Sequence, residues 1–408
     1  MNNVKLLSFD NGLRVEFVKK TKNTVQASFK VAVMVGSEDE RAEQGIAHLL
    51  EHCTFKGTRE YSQEQLSVEL DKISAMPNAS TSAEFTIFEA KFPKFNIERL
   101  IELFSKMIFE STFDEQGIES EKLVIIEEIK MHNDIPSDIA FDQLTNTMFS
   151  GTGLGFDIAG NEKLLKAVTR DELIEFRNSH YIPQNTIISV VGDFEEKQIK
   201  ELIEKYFASR FVEINKTGKL QKIWTEKVEL EPKTVIKNKK INQANVMMGA
   251  YTTGYESPDR LKLAIMLFAL GGSMSSRLFV RLRNQLSLCY SIYADHLNYK
   301  NNGFLLIDFS TLSEQCELAI NEVKKVVNEM IENGITDEEF ILAKNILLNN
   351  FLMGQDVPQS HISYLAYTGE LFDAKKREKE LANIKKSDCE DAFRKYITTD
   401  KFFISIVR

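Results

Sequence analysis

The pattern of elements in this chain predicts an α+β protein of two similar domains, each a mostly antiparallel sheet with helices packed on it. Three observations carry that class. Period-two apolar stretches, the mark of strands, are mixed with long helical stretches without strict strand–helix–strand alternation. The second half repeats the plan of the first. The ends of the halves match most closely: Phe176-Arg177 precedes the apolar run 186–191, Phe393-Arg394 precedes 402–407, and the two Phe-Arg pairs lie 217 residues apart. A repeat of that length exceeds any solenoid unit and means a duplicated domain.

In chain order, residues 12–18 read as a hairpin partner for the next strand, with Asn11-Gly12 as the turn. That next strand is marked by Val25, Ala27, Phe29, Val31, Val33 and Val35, which alternate with their neighbours. Helical patterns follow at 45–55 and 62–73. Residues 80–92, with Phe85, Ile87 and Phe88 among Ser and Thr, read as one strand. Helices are expected at 95–110, 114–133, 136–149 and 170–180, then a strand at 185–191 ended by Gly192-Asp193, and a short helix at 195–207. Residues 213–240 crowd eight lysines around Gly218 and Pro232 with weak periodicity. They read as a linker with room for a strand or two, its basic run simply solvated. Beyond it come a strand at 245–251, helices at 261–269 and 275–284, a strand at 303–310, and helices at 313–333 and 337–353. The predicted domains are therefore 1–212 and 241–408, joined by 213–240.

Composition bounds the function. Of 408 residues, 27% are charged and 43% hydrophobic, enough apolar material for full cores. The net charge of −9, from 51 basic and 60 acidic residues, argues against nucleic acid as a partner, because phosphate binding needs a concentrated basic face. No apolar run approaches the length of a membrane span; residues 264–270 are among the longest. Residues 1–12 show no basic stretch followed by an apolar one, so no secretory signal is expected. Cys53, Cys289, Cys316 and Cys389 are scattered without a CxxC, which points to free thiols in a reducing compartment, the cytoplasm.

The most informative window is His48-Leu49-Leu50-Glu51-His52, which holds two of the six histidines. On a helix, positions i and i+4 lie about 40° apart, so both imidazoles leave one face and can reach one metal ion. Glu51 sits beside them as a carboxylate able to take a proton from water without being a ligand. The order H-x-x-E-H is a zinc peptidase signature. A two-histidine site needs a third protein ligand. Residues 119–133 offer Glu119, Glu121, Glu127 and Glu128 in a helix whose apolar residues (Leu123, Val124, Ile125, Ile126, Ile129) run nearly all round, so the helix is expected to be buried. Glu121 and Glu128, two turns apart, share a face; Glu127 is rotated about 100° away, and periodicity alone does not choose between Glu127 and Glu128.

The string Gly45-x-Ala47-His48-Leu49-Leu50-Glu51-His52-x-x-Phe55-Lys56-Gly57-Thr58 strongly resembles the pitrilysin-like family of zinc metallopeptidases, the group of the mitochondrial processing peptidases and insulysin. In that family a Glu about 76 residues beyond the second His completes the metal site. The resemblance therefore implies Glu128 as third ligand beside His48 and His52, one Zn²⁺ per chain, Glu51 as general base, and Glu121 as a carboxylate supporting catalysis near the metal. It extends over nearly the whole chain, through Asn11-Gly12-Leu13, Gly36-Ser37, Asn78-Ala79, His180-Tyr181-Ile182-Pro183 and Gly192-Asp193. In the second half, Ser276-Arg277-Leu278 through Leu288-Cys289-Tyr290-Ser291 resembles a family block whose Arg and Tyr, here Arg283 and Tyr290, bind substrate or stabilise the tetrahedral intermediate. Donors of this type suit a carbonyl oxygen that gains charge.

Three departures stand out. The family Glu after the Arg is Asn284, the family Gly before the Leu is Ser287, and a loop usually rich in glycine reads Ser74-Ala75-Met76-Pro77. The resemblance implies peptide substrates cleaved inside a chamber of which this chain forms half, a homodimer or a heterodimer with a related chain, and a peptide held as an added strand along residues 80–88. A dedicated processing peptidase and a non-catalytic assembly subunit are the alternatives on the same scaffold; the intact His48, Glu51, His52 and Glu128 speak against the second. His132, His180, His296 and His361 have no partner motif and read as structural.

Overall fold

The computed structural model describes residues 4–211, 222–354 and 359–408, so residues 213–221 of the expected linker lie outside the described residues. Two sheets organise the chain. The first contains β1 (Val4–Ser8), β2 (Arg14–Lys19), β3 (Gln26–Val33), β4 (Met76–Thr81), β5 (Thr86–Pro93) and β6 (Thr186–Gly192), in the order β1-β2-β6-β3-β5-β4. The second contains β7 (Thr234–Lys237), β8 (Gln243–Tyr251), β9 (Ile292–Asn298), β10 (Gly303–Leu312) and β11 (Phe403–Val407), in the order β7-β11-β8-β10-β9. Without β1 the two orders coincide, and each has a single parallel pair, β2 with β6 and β7 with β11. This is the α+β duplication expected from the sequence.

Each sheet buries one face under helices. In the first unit Phe29, Val31 and Phe88 pack under α1 (Ile46–Thr54), α2 (Gln63–Lys72), α3 (Ile97–Glu110) and α4 (Glu115–Asp134). Helix α3 shows why it docks: Ile97, Leu100, Ile101, Phe104 and Ile108 recur at helical spacing and all are buried. In the second unit Val246, Met248, Leu305 and Ile307 form the equivalent core with Ile265, Val323 and Phe393 from three helices.

Several expectations are corrected. Strand β2 does not pair with β3: it forms a hairpin with β1 and lies parallel to β6, which separates it from β3. Residues 80–92 are not one strand but the end of β4, a turn and β5. The Ser82 hydroxyl accepts from the Phe85 N–H and donates to the Phe85 carbonyl, which folds the chain back. The edge of the sheet on this side is therefore β4, residues Met76–Thr81, opposite the β1 edge, and Phe88 lies inside the sheet between β3 and β4. Pro77 is tolerated on β4 because an edge strand can do without one N–H. Helix α4 is not apolar-buried all round: Leu123 is 63% and Val124 48% exposed, while Glu121 is buried.

The chain divides into two compact units, but not at the linker alone. Helix α5 (Pro136–Met148), from the first half of the sequence, belongs to the second unit. It buries Ile139, Ala140 and Leu144, and the Tyr251 hydroxyl donates to the Met148 carbonyl. Helix Gln359–Thr368, from the second half, belongs to the first unit. There the Arg14 guanidinium donates to the Leu365 carbonyl at 3.3 Å, His361 lies 3.3 Å from Glu16, and the Tyr367 hydroxyl donates to Glu84. The expected split into 1–212 and 241–408 thus misses an exchange of one helix each way, made because each helix finds its apolar and polar partners on the other sheet.

Candidate functional site

Helix α1 carries the histidine pair. Its start is set by Gly45, at a left-handed φ of 66° with no room for a Cβ, since the Ala159 carbonyl oxygen would lie 2.3 Å away. Glycine has no side chain to cap the helix, and Glu40 does it instead. Its carboxylate accepts from the N–H groups of Gln44 (3.0 Å), Gly45 (2.9 Å) and Ala47 (3.1 Å), just before, at and inside the start of the helix. Burial pushes the Glu40 carboxyl up to about 8, against the pull of those three donors. Leu49 and Leu50 are fully buried and seat the helix in the core.

His48 and His52 stand with ring centroids 4.6 Å apart. Glu128, on α4, brings Oε2 to 3.9 Å from His48 Nε2 and 3.8 Å from His52 Nε2. Ligand atoms about 2.0–2.1 Å from one tetrahedral ion would stand roughly 3.3–3.5 Å apart, so a small inward movement of the three side chains suffices. Among the described residues these three form the one group of this kind, their ligand atoms all within 4.8 Å of one another. Two imidazoles and a carboxylate are a donor set suited to zinc and leave a position open. Between the two glutamates left open by helical spacing, Glu127 points away: its carboxylate meets Lys130 at 2.7 Å on the exposed side of α4.

Glu121 is buried behind the metal set. Its Oε2 lies 2.9 Å from His52 Nδ1 and its other oxygen pairs with Lys56. A carboxylate on Nδ1 fixes the tautomer that leaves Nε2 free to ligate. Among the site's side chains Glu121 thus contacts His52 and Lys56. The expected result for Glu121→Gln is metal affinity lower by about 10–100-fold with the fold intact, measured by competition with a zinc chelator.

Glu51 is 7% exposed and points between α1 and β4, where the Thr81 hydroxyl donates to its Oε2. Burial raises its carboxyl above the usual range, partly offset by the Thr81 hydrogen bond and by His52. Tyr290 and Arg283 are brought together in the second unit: the Arg283 guanidinium sits 4.7 Å from the centre of the Tyr290 ring and 4.7 Å from that of Phe279, and Tyr290 is 80% exposed. Ser287, where the family has Gly, holds φ at 52°, and Ser74 of the glycine-poor loop holds 51°. Both departures thus keep a backbone conformation that favours glycine and carry its strain, of the order of 1–2 kcal/mol each. Asn284 is exposed beside Arg283.

The other four histidines each have a local partner: His132 with Asp138, His180 with the Phe176 carbonyl, His296 with Thr252 and His361 with Glu16. The sequence alone announces no role for Glu40, Lys56 or Thr81. Lys56 stands in the motif's own flank, and an acidic residue ahead of a helix that starts on glycine is a capping signal.

Comparison with known proteins bears on the family and the fold. A family model described as Insulinase (Peptidase family M16) matches residues 16–162, and one described as Peptidase M16 inactive domain matches residues 167–347. A Bacillus subtilis protein named zinc protease YmxG is 32% identical over 364 residues, 88% of this chain and 86% of its own. A Rickettsia felis protein named as a zinc protease is 30% identical over 361 residues, 87% of this chain and 84% of its own. The fold is shared with the crystal structure of a protease from Helicobacter pylori, with a TM-score of 0.91 and 20% identity over 99% of each chain.

Proposed function

Because the chain belongs to the peptidase M16 family, we propose that it is a zinc-dependent metalloendopeptidase that cleaves peptides or small unfolded polypeptides. The observation that carries this reading is the convergence of His48, His52 and Glu128 beside a buried Glu51 that is not itself part of the ligand set. Zinc bound there would polarise the scissile carbonyl and make a water more acidic. Glu51 takes the proton from the attacking water and delivers it to the leaving amine. The free edge of β4 offers backbone groups to an extended peptide, which gives affinity with little sequence preference. We place the cleavage inside a chamber formed with a second chain, a homodimer, because metal set and Arg/Tyr pair are both present on this one chain. Cys53, Cys289, Cys316 and Cys389 are free and buried, which favours the cytoplasm.

Arg283 and Tyr290 are proposed as donors to the carbonyl oxygen as it gains charge. Tyr290→Phe and Arg283→Ala should each lower kcat by about 10²–10³-fold without loss of zinc. Acting on one intermediate, the two together should cost less than the product of the single losses. Steady-state hydrolysis with zinc content measured alongside decides this; unchanged rates in both variants would leave the second unit with no part in the chemistry. The reading as a whole is tested by digesting a mixed peptide library with and without a chelator and identifying the products by mass spectrometry. Products that persist unchanged in chelator would remove it.

A further inference from the structure

Glu51 must be charged to act as a base, yet it is buried, and a buried carboxylate needs a donor on any oxygen that is not facing the reacting water. That donor is present. Thr81 is the last residue of β4, and its hydroxyl donates to Glu51 Oε2. This leaves Oε1 for the proton. After transfer, Oε2 is the carbonyl oxygen of the acid and still accepts the same hydrogen bond, so the contact holds in both protonation states.

The position of Thr81 is fixed from several sides. It opens the turn into β5, and that turn is clamped. The Ser37 N–H donates to the Ser82 carbonyl at 3.3 Å, and the Glu38 N–H to the Ala83 carbonyl at 3.0 Å. Gly36 allows this approach, because a Cβ there would sit 2.1 Å from the Ser82 oxygen. At the tip, Glu84 accepts from the Tyr367 hydroxyl, and the Phe85 and Tyr367 rings meet edge-on at 5.5 Å. On the other side Thr86, paired with Thr81 in the sheet, donates its hydroxyl to the Val35 carbonyl at 3.0 Å. A hydroxyl held this firmly can hold the carboxylate it bonds.

We propose that Thr81 is a positioning residue for the general base, fixing the Glu51 carboxylate through its side-chain hydroxyl while its backbone belongs to the edge strand offered to substrate. This rests on the peptidase reading above. One residue then joins the docking edge to the base, so a peptide added to β4 would settle against the same residue that orients Glu51.

The test compares wild type with Thr81→Val, Thr81→Ser, Glu51→Gln and the Thr81→Val/Glu51→Gln double variant, all zinc-loaded, on a peptide that the wild type cleaves. Valine keeps the shape of threonine without the hydroxyl. It should lower kcat by about 10–100-fold, the weight of a hydrogen bond to a charged group, with KM unchanged. Serine, which keeps the hydroxyl, should rescue most of that loss. In the Glu51→Gln background Thr81→Val should add nothing, because there is no base left to orient. Zinc content, melting temperature, and the affinity of the zinc-free protein for the same peptide should stay at wild-type values in Thr81→Val. Three results each overturn the inference while leaving the peptidase reading intact: wild-type kcat in Thr81→Val, equal damage by serine and valine, or a further loss in the Glu51→Gln background. A wild type without chelator-sensitive cleavage overturns the peptidase reading, and this inference with it.

Discussion

Replacing Glu51 by Gln should abolish most peptide cleavage while leaving fold and zinc in place. The amide has the same shape and can still accept from Thr81, but it cannot take a proton from water, and the loss of a general base costs about 10²–10⁴-fold in rate. The stability side has a definite sign. Burial raises the Glu51 carboxyl above its unfolded value in the metal-free protein. A raised acid contributes most below its unfolded pKa, and that contribution is lost as pH rises through the folded pKa. At neutral pH the charged form is therefore a cost to the fold, and a neutral Gln removes it. The melting temperature of metal-free Glu51→Gln should equal or exceed that of wild type, measured by calorimetry at pH 7. A variant that cleaves at the wild-type rate would show that the proton goes elsewhere. One that melts much earlier would show that Glu51 is structural.

The second large effect is on the metal. His52→Ala removes an imidazole whose Nε2 is 3.8 Å from Glu128, and Glu128→Gln removes the sole carboxylate of the set. Each leaves two protein ligands where a stable zinc site of this kind uses three. Wild type should purify with close to one equivalent of zinc, and either variant with little after gel filtration in metal-free buffer, by plasma mass spectrometry. Glu127→Gln is the control, since Glu127 sits on the exposed side of the same helix paired with Lys130, and it should keep its zinc. Full occupancy in both His52→Ala and Glu128→Gln would remove the site.

How much could be read from the sequence depended on how local each contact is. His48 and His52 were legible because i, i+4 spacing on a helix is a local fact. Glu128 was not legible from spacing: helical geometry left it level with Glu127, and the resemblance chose it before the fold brought α4 beside α1. Thr81 reaches Glu51 across 30 residues from strand to helix, a contact no periodicity announces. The β4–β5 turn escaped because Ser82-Ala83-Glu84-Phe85 contains no Gly, Pro or Asn; a serine hydroxyl does the work of turning the chain. Strands β1 and β9 escaped because they are edge strands with only Leu7 buried in the first, and Ile292 and Ala294 in the second. The pattern of α5 marked it as a helix, but an apolar stripe does not say which sheet it will cover.

The exchange of α5 and helix Gln359–Thr368 bears on the origin and the autonomy of the halves. Each half of the sequence encodes most of one unit and one helix of the other. A half-length ancestor with this layout would leave part of its own sheet uncovered and one of its own helices unplaced when alone. Two copies would each complete the other, as in a swapped dimer. Joining two such copies in one chain would turn a concentration-dependent association into an intramolecular one, at an effective concentration set by the connecting segment. The same layout predisposes either half, expressed separately, to require the other as its folding partner.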